Sequence, residues 1–158
     1  DFAKMPKPDN EGMDLRDLAL NAINLFSETS ERAVFHFHDN NLKKAWIWAD
    51  KEQLLRVFNN LFRNAIQAIP EFREGRVDVT LSRQNHSFIV AVKDNGSGID
   101  PEVIDKIFVP NFTTKTAGMG LGLAMTKNIV ESSNGRIWFE TAKDKGSTFY
   151  ISFPSLEE

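Results

Sequence analysis

The stretch "SFIVAVKDNGSGIDPE", residues 87–102, decides how this chain folds. Its first half is rich in apolar and β-branched residues, which is typical of a strand. The "DNG" that follows consists of residues that favour turns. If this turn closed a plain hairpin, a second strand would come next. Here a helix start comes next, because Asp100 precedes a proline at the first helical position. The stretch therefore predicts a strand that ends at Asp94 and continues through a glycine-containing loop into a helix.

The carboxylate of Asp94 is either part of an ordinary turn or an acceptor placed beside a ligand pocket. At the end of a strand, with Gly96 and Gly98 leaving room beside it, it can accept a hydrogen bond from an amine-bearing ring. Adenine offers such an amine, whereas guanine at that position does not. The residues alone leave both interpretations open.

Helices interrupt the strands along the chain on both sides of this loop. Apolar residues at helical spacing predict one helix over Asp14–Glu28 and a longer one from Asp50, its N-cap, to about Ile69. A third helix follows the glycines after residue 117 and ends at the "NG" of residues 134–135. Further strands are predicted over "AVFHFHD", "KAWIWAD", "RVDVTLS", "RIWFETA" and "STFYISF". This order predicts a mixed sheet covered by helices, an α/β two-layer sandwich.

The composition fits one globular domain, since the 158 residues are 41% hydrophobic and 26% charged. The net charge of −3 gives no electrostatic footprint for nucleic acid, and we expect no nucleic-acid partner. Without cysteine the chain forms neither disulfides nor thiolate metal sites, which fits a reducing compartment. No apolar run approaches the roughly 20 residues of a membrane helix. Because the chain begins at Asp1, we interpret it as a piece of a longer protein, whose missing part could hold a membrane anchor.

Three glycines stand at every second position in "TTKTAGMGLGLAM", residues 113–125, just before the third predicted helix. Glycine costs a helix about 1 kcal/mol against alanine, so three at a helix start call for a reason. One reason is an anion cradle, because glycines let the backbone approach a ligand and a helix start presents unpaired N–H groups. The other is a flexible loop that happens to precede a helix. The spacing matches neither a P-loop nor a dinucleotide-binding turn.

The long second helix carries amides on the face opposite its apolar one. Asn60, Asn64 and Gln67 lie within a narrow arc at about 100° per residue. The simpler interpretation is a solvated helix face. Against it, such faces usually carry Lys and Glu, and asparagine is a poor helix former. Amide oxygens are also ligands that Mg²⁺ accepts.

Four segments, in this order and spacing, resemble the ATP-binding domain of sensor histidine kinases. These belong to a larger family with the type II topoisomerase ATPase subunits, the Hsp90 chaperones and the MutL proteins. "NNLFRNAIQAI" is similar to the N box, "DNGSGI" to the first glycine box, "IFVPNFTTK" to the F box and "GMGLGLAM" to the second glycine box. "GSTFYISFP" resembles the closing strand. The resemblance runs from about Met13 to Pro154. It implies the Bergerat fold, a mostly antiparallel sheet covered on one face by about three helices, with a mobile ATP lid over about residues 104–118.

The resemblance also implies a role for each matching residue. Asn64, assisted by Asn60, would bind Mg²⁺. Asp94 would accept a hydrogen bond from the exocyclic amine of adenine, with Gly98 lining the base pocket and Thr148 supporting the same contact. Lys115 would reach the phosphates, the three glycines would cradle them, and Phe108 and Phe112 would anchor the lid. The implied nucleotide-binding residues are Asn60, Asn64, Asp94, Gly96, Gly98, Lys115, Gly118, Gly120, Leu121, Gly122 and Thr148.

Asn60 distinguishes phosphoryl transfer from hydrolysis within this family. The hydrolytic branches carry a glutamate there to activate water, and an amide cannot serve as a general base. The acceptor histidine of a histidine kinase is also missing, because His36, His38 and His86 lack its sequence context. The resemblance therefore implies a domain that binds Mg-ATP and donates the γ-phosphoryl group to a histidine on a separate dimerisation domain, for relay to a receiver aspartate.

Residues 1–12 are interpreted as a linker at the end of a missing dimerisation helix, and residues 13–158 as the catalytic domain. We expect a monomeric fragment of a homodimeric, cytoplasmic kinase, whose parent could be anchored in the inner membrane. Its partners would be the phosphoacceptor domain and a response-regulator receiver domain. Two alternatives remain, a serine kinase of the anti-sigma type and a nucleotide-binding regulatory domain without transfer activity.

Overall fold

A computed structural model describes residues 7–110 and 122–156 of the chain. Seven strands, three α-helices and one short 3₁₀ helix make up this part. In chain order they are β1 Glu11–Asp14, α1 Leu15–Thr29, β2 Ala33–His38, β3 Trp46–Ala49, α2 Lys51–Ala68, β4 Gly75–Gln84, β5 Ser87–Asp94, the 3₁₀ helix Pro101–Lys106, α3 Gly122–Ser132, β6 Arg136–Ala142 and β7 Gly146–Pro154.

Five of the strands form one mixed sheet in the order β2-β4-β5-β7-β6. Only the β2–β4 pair is parallel, because the chain between these strands crosses over through β3 and α2. The other pairs are antiparallel, and β1 pairs with β3 in a separate two-stranded sheet. The predicted two-layer sandwich with a mostly antiparallel sheet and about three helices is confirmed.

The core lies between the helices and one face of the large sheet. Phe58 and Phe62 of α2 are fully buried, and the rings of Phe26 and Phe35 pack edge-on against Phe62 at 5.7 and 5.2 Å. Burial of one such side chain contributes about 1.5–3 kcal/mol. The amphipathic pattern of α2 therefore fixes which of its faces meets the sheet and which faces outward with its amides.

No helix within residues 7–110 and 122–156 covers the opposite face of the sheet, which carries the alternate, more polar residues. His36 stands opposite Asp78 in the register, and the His38 Nε2 lies 3.0 Å from an Asp78 oxygen. Both histidines thus lie in the strand predicted over "AVFHFHD". This open face also holds Tyr150, whose hydroxyl donates to Glu140 at 2.8 Å.

Helices α1 and α2 both begin after a capping aspartate, which confirms the predicted cap at Asp50. The Asp14 side chain accepts a hydrogen bond from the N–H of Arg16, and the Asp50 side chain accepts one from the N–H of Gln53. Helix α2 ends at Ala68, two residues before Pro70, which cannot continue it.

The last two residues of the segment interpreted as a linker, residues 1–12, lie in a short strand. Glu11 and Gly12 belong to β1 and pair with Ala49 and Trp48. The segment "EGMD" has no strand pattern of its own, so its conformation comes from the partner strand. The folded domain therefore begins at or before Glu11.

None of the helices within residues 7–110 and 122–156 is both long enough and apolar enough to span a membrane.

Candidate functional site

Asp94 is the last residue of β5 and is almost completely buried, with 4% of its surface exposed. One carboxylate oxygen, Oδ1, accepts hydrogen bonds from the main-chain N–H groups of Gly96 at 2.8 Å and Ser147 at 3.2 Å. A buried carboxylate is costly unless such donors compensate it. The two N–H groups stabilise the charged acceptor at the strand end, where the sequence predicted it.

The loop after Asp94 is fastened to the C-terminal end of α2. The Ala68 carbonyl accepts hydrogen bonds from both the N–H and the hydroxyl of Ser97, at 2.9 and 3.0 Å. A Cβ on Gly96 would lie only 2.5 Å from that carbonyl oxygen, so a larger residue does not fit there. Gly98 has a φ of +81°, and a Cβ there would lie 2.5 Å from the Ala142 carbonyl oxygen. Both glycines are therefore required by the loop itself.

Arg73 holds the same loop from the other side. Its Nη1 donates to the carbonyl oxygens of Asn95 and Gly96, at 2.5 and 3.0 Å. The Asn95 side chain in turn bonds to the backbone of Glu74 and Arg76, at 2.9 Å each. Sequence patterns had not singled out Arg73, because a charged residue in a loop after a helix has no distinctive signal.

Ser147, rather than Thr148, is the residue of β7 that faces Asp94. Thr148 pairs with Lys93 and Glu140 in the register and therefore points to the open face of the sheet. Ser147 is 3% exposed and lies on the same side of β7 as the buried Phe149. The register therefore brings Ser147, and not Thr148, to the side of Asp94, because neighbouring side chains of a strand point to opposite faces.

The outward amides of α2, Asn60, Asn64 and Gln67, are called the amide stripe. This stripe faces the beginning of α3. Asn60 Nδ2 donates to the Gly122 carbonyl at 3.4 Å and to the hydroxyl of the fully buried Thr126 at 3.3 Å. Asn64 follows one turn later, and Ala68, which anchors the Asp94 loop, another turn on. One helix thus joins the Asp94 loop to the Asn60–Gly122 contact over about 12 Å.

Several predicted residues lie outside the part of the chain that the structure describes. These are Lys115, Gly118, Gly120, Leu121 and Phe112. Of the predicted lid, Phe108 is described, and its ring packs 6.0 Å from that of Phe139 on β6. Phe108 thus packs against the sheet near the start of this segment, and its role as a lid anchor stays a prediction.

Residues 49–157 match the sequence profile of the family described as histidine kinase-, DNA gyrase B-, and HSP90-like ATPase. The chain belongs to this ATPase family. Its relatives and structural neighbours identify it as a catalytic ATP-binding domain of the sensor histidine kinase type.

Two curated relatives of this ATPase domain are kinases. Sporulation kinase A of Bacillus subtilis (strain 168) is 43% identical over 109 residues, which are 69% of this chain and 18% of the relative. Sensor histidine kinase ZraS of Escherichia coli (strain K12) is 38% identical over 146 residues, 91% of this chain and 31% of the relative. The chain therefore spans less than a third of the length of either relative.

A solved catalytic domain has the same fold. The nucleotide-free catalytic domain of histidine kinase ThkA matches with a TM-score of 0.82 at 31% identity, covering 93% of this chain and 96% of that one. The Bergerat arrangement expected from the motifs is therefore the fold of this chain.

The donor set of this ATPase domain fits Mg²⁺ bound through amides. Within residues 7–110 and 122–156 no group of three His, Asp or Glu side chains could hold a metal ion. Among the same residues, the buried Asn64 Nδ2 has no hydrogen-bond partner. The Asn64 amide is therefore not held in place by a hydrogen bond of Nδ2, and its oxygen is a ligand of the kind that Mg²⁺ accepts.

Proposed function

We propose that this domain binds Mg-ATP and donates the γ-phosphoryl group to a histidine on a separate dimerisation domain of a two-component sensor kinase. The observation that carries the proposal is the buried Asp94 carboxylate, held by two backbone N–H groups at the start of a loop fastened to α2. Membership in the ATPase family supports ATP as the ligand.

The Asp94 pocket would take the adenine base. Its carboxylate accepts a hydrogen bond from the exocyclic amine, which guanine does not offer there. Gly96 and Gly98 shape the loop, and Ser147 takes the supporting role assigned above to Thr148. The base is thus selected by a fixed acceptor in a low-dielectric site, where a hydrogen bond is strong.

The phosphate end would lie along the amide stripe of α2. Asn64 and Asn60 would hold the Mg²⁺, which neutralises phosphate charge when bound. Lys115 and the glycines at 118, 120 and 122, with Leu121, are proposed as the phosphate contacts, since Gly122 begins α3 against Asn60. Asn60 cannot take a proton from water, so this site favours transfer over hydrolysis.

The acceptor histidine, a receiver domain as the next partner and a homodimeric parent are part of the same proposal. Its support is that the curated relatives are kinases much longer than this chain, and that ZraS is a sensor histidine kinase. We place the domain in the cytoplasm, with residues from about Glu11 onward as the catalytic unit and about 104–118 as its lid.

Calorimetric titration of the chain with ATP and GTP, each with and without Mg²⁺, tests the binding step. Binding of ATP but not GTP, strengthened by Mg²⁺, is expected. Failure to bind ATP at millimolar concentration would overturn the proposal. The domain would then be interpreted as a regulatory domain without transfer activity.

Joining the chain to its dimerisation domain tests the transfer step. Acid-labile phosphohistidine on the added domain is expected, with little phosphate release from the chain alone. Acid-stable phosphoserine on a partner would favour the serine kinase alternative, and rapid phosphate release without a partner would indicate a hydrolase.

A further inference from the structure

Thr141 of β6 and Ser147 of β7 form a cross-strand pair beside the Asp94 carboxylate. Their hydroxyl oxygens lie 2.8 Å apart, and either could be the donor. Thr141 Oγ1 also accepts a hydrogen bond from the main-chain N–H of Ile99 at 2.8 Å. The pair thus connects the loop that leaves Asp94 to the strand that stands opposite it.

The available distances decide which hydroxyl donates. The Thr141 hydroxyl has one hydrogen to donate. Two acceptors lie within reach of it, Ser147 Oγ at 2.8 Å and the Gly146 carbonyl oxygen at 3.5 Å. Hydroxyl hydrogen bonds are strongest at about 2.7–2.8 Å and weak at 3.5 Å. The better network therefore runs from the N–H of Ile99 to Thr141, and from the hydroxyl of Thr141 to Ser147.

In this network the Ser147 oxygen already accepts a hydrogen bond, which directs its own hydrogen away from Thr141. Ser147 and Asp94 lie on the same buried face of neighbouring strands, and the N–H of Ser147 already bonds Asp94. The site then presents one acceptor, the carboxylate, next to one donor, the Ser147 hydroxyl.

We infer that Thr141 is a positioning residue for nucleotide specificity, which acts by fixing Ser147 as a hydrogen-bond donor. An acceptor beside a donor matches a base edge that has an amine beside an unprotonated ring nitrogen, as in adenine. It opposes a 6-oxo purine, which has an oxygen beside a ring N–H. This inference rests on the proposed function, because it concerns the same base pocket.

The test compares the affinities of ATP and ITP, whose bases differ only at this edge, for the wild-type chain and two variants. Thr141→Val keeps the shape and removes the hydroxyl, and Thr141→Ser keeps the hydroxyl. We expect Thr141→Val to lower the ATP-to-ITP affinity ratio by about three- to tenfold, the equivalent of one net hydrogen bond. Thr141→Ser should stay within about twofold of wild type. Thr80→Val, on the open face of the same sheet, is the matched control and should leave the ratio unchanged.

Two further variants, Ser147→Ala and the double variant Thr141→Val/Ser147→Ala, complete the test. With them, the outcome does not depend on whether any one variant folds. If Thr141 acts through Ser147, Ser147→Ala lowers the ratio at least as far, and adding Thr141→Val changes it no further. Equal weakening of ATP and ITP by Thr141→Val, or additive effects on the ratio, would show a merely structural role and overturn the inference. If the wild-type chain binds no ATP, the proposed function itself fails, which is a different result from binding with an unchanged ratio.

Discussion

The main-chain N–H of Ser147 donates a hydrogen bond to Asp94 Oδ1 at 3.2 Å, although the two residues are 53 positions apart in sequence. The N–H of Gly96 shares this oxygen at 2.8 Å. Asp94→Asn keeps an oxygen for both N–H groups but replaces the other carboxylate oxygen with a donor. We expect ATP affinity to fall about ten- to hundredfold, since hydrogen bonds to charged groups are worth more than neutral ones.

The stability of the Asp94→Asn variant separates this effect from misfolding. Because both backbone donors keep an acceptor, the free energy of unfolding should change by less than about 1 kcal/mol. The control is Asp144→Asn in the nearby hairpin turn, where a φ of 63° suits asparagine and the residue is exposed. A large loss of ATP affinity in the control, or none in Asp94→Asn, would contradict the assignment of Asp94.

Gly96 tests how closely the Asp94 loop approaches α2. In Gly96→Ala the new Cβ would lie 2.5 Å from the Ala68 carbonyl oxygen and 2.9 Å from the Ala68 Cβ. Backbone must move to relieve this contact, so urea unfolding should show a loss of about 1–3 kcal/mol, together with weaker ATP binding. In Gly12→Ala the nearest atom is Leu156 Cδ2 at 3.2 Å, the end of a side chain that can move. That control should lose much less, and equal losses would show that the loop itself can shift.

The sequence predicted most of the fold because its strands and helices carry clear periodicities. Alternation in β7 places Phe149, Ile151 and Phe153 on the core side. The same alternation, continued back by one step, places Ser147 there and Thr148 on the open face. The signal that places Ser147 rather than Thr148 beside Asp94 was therefore present in the sequence, but family resemblance drew attention to the threonine.

Other parts of the site had no signal in the sequence. The Ala68 carbonyl anchors Ser97 through a backbone atom, which any residue type could supply. Arg73 is 22 and 23 positions from Asn95 and Gly96 in sequence, and its hydrogen bonds to their carbonyl oxygens form only when the chain is folded. The short strand that contains Glu11 is defined by pairing with β3, a long-range contact that local propensity cannot show.

Asp78 on the open face makes the free energy of unfolding depend on pH in the acidic range. The Arg76 guanidinium, bonded at 2.9 and 3.1 Å, and then His38 lower the pKa of Asp78 from 3.8 to about 2, against the effect of burial. A lowered pKa contributes stability above the unfolded-state value, and this contribution is lost as pH falls through about 4 toward 2. With allowance for solvent screening, Asp78→Asn should lose about 1–2 kcal/mol at pH 7.

Denaturant unfolding of wild type and Asp78→Asn from pH 7 to 3 measures this contribution. The difference between them should be constant above about pH 5 and should shrink below pH 4. A difference that persists unchanged at pH 3, or grows there, would show that the Asp78 charge is not its source.

Tyr150 is the single tyrosine of the chain, so its ionisation can be followed without interference. Its hydroxyl donates to the Glu140 carboxylate at 2.8 Å, and this hydrogen bond, followed by burial, raises the pKa of Tyr150 above 10. Glu140→Gln removes the charge, and the pKa should fall toward the ordinary value. Near-ultraviolet absorbance of the phenolate measures it. Glu131→Gln on α3 should leave the Tyr150 pKa unchanged, and a pKa at or below 10 in wild type would refute the contact.

Asn64 should be a site where stability and ligand binding oppose each other. Its Nδ2 is buried without a hydrogen-bond partner among the described residues, which is unfavourable by about 1–3 kcal/mol in a folded protein. Asn64→Ala removes that group and adds a better helix former, so the free energy of unfolding should stay the same or rise by about 1 kcal/mol. At the same time the strengthening of ATP binding by Mg²⁺ should disappear, while binding without Mg²⁺ persists.

Asn59→Ala is the matched control, because Asn59 lies on α2 but lines the groove against α1 rather than the amide stripe. The Asn59→Ala variant should gain a similar amount of helix stability, and Mg²⁺ should still strengthen its binding of ATP. Paired calorimetric titrations and urea unfolding measure both quantities for both variants. If Asn64→Ala keeps the full Mg²⁺ effect, the cation is held elsewhere. If it strongly destabilises the fold, Asn64 is a structural residue whose amide is satisfied in solution.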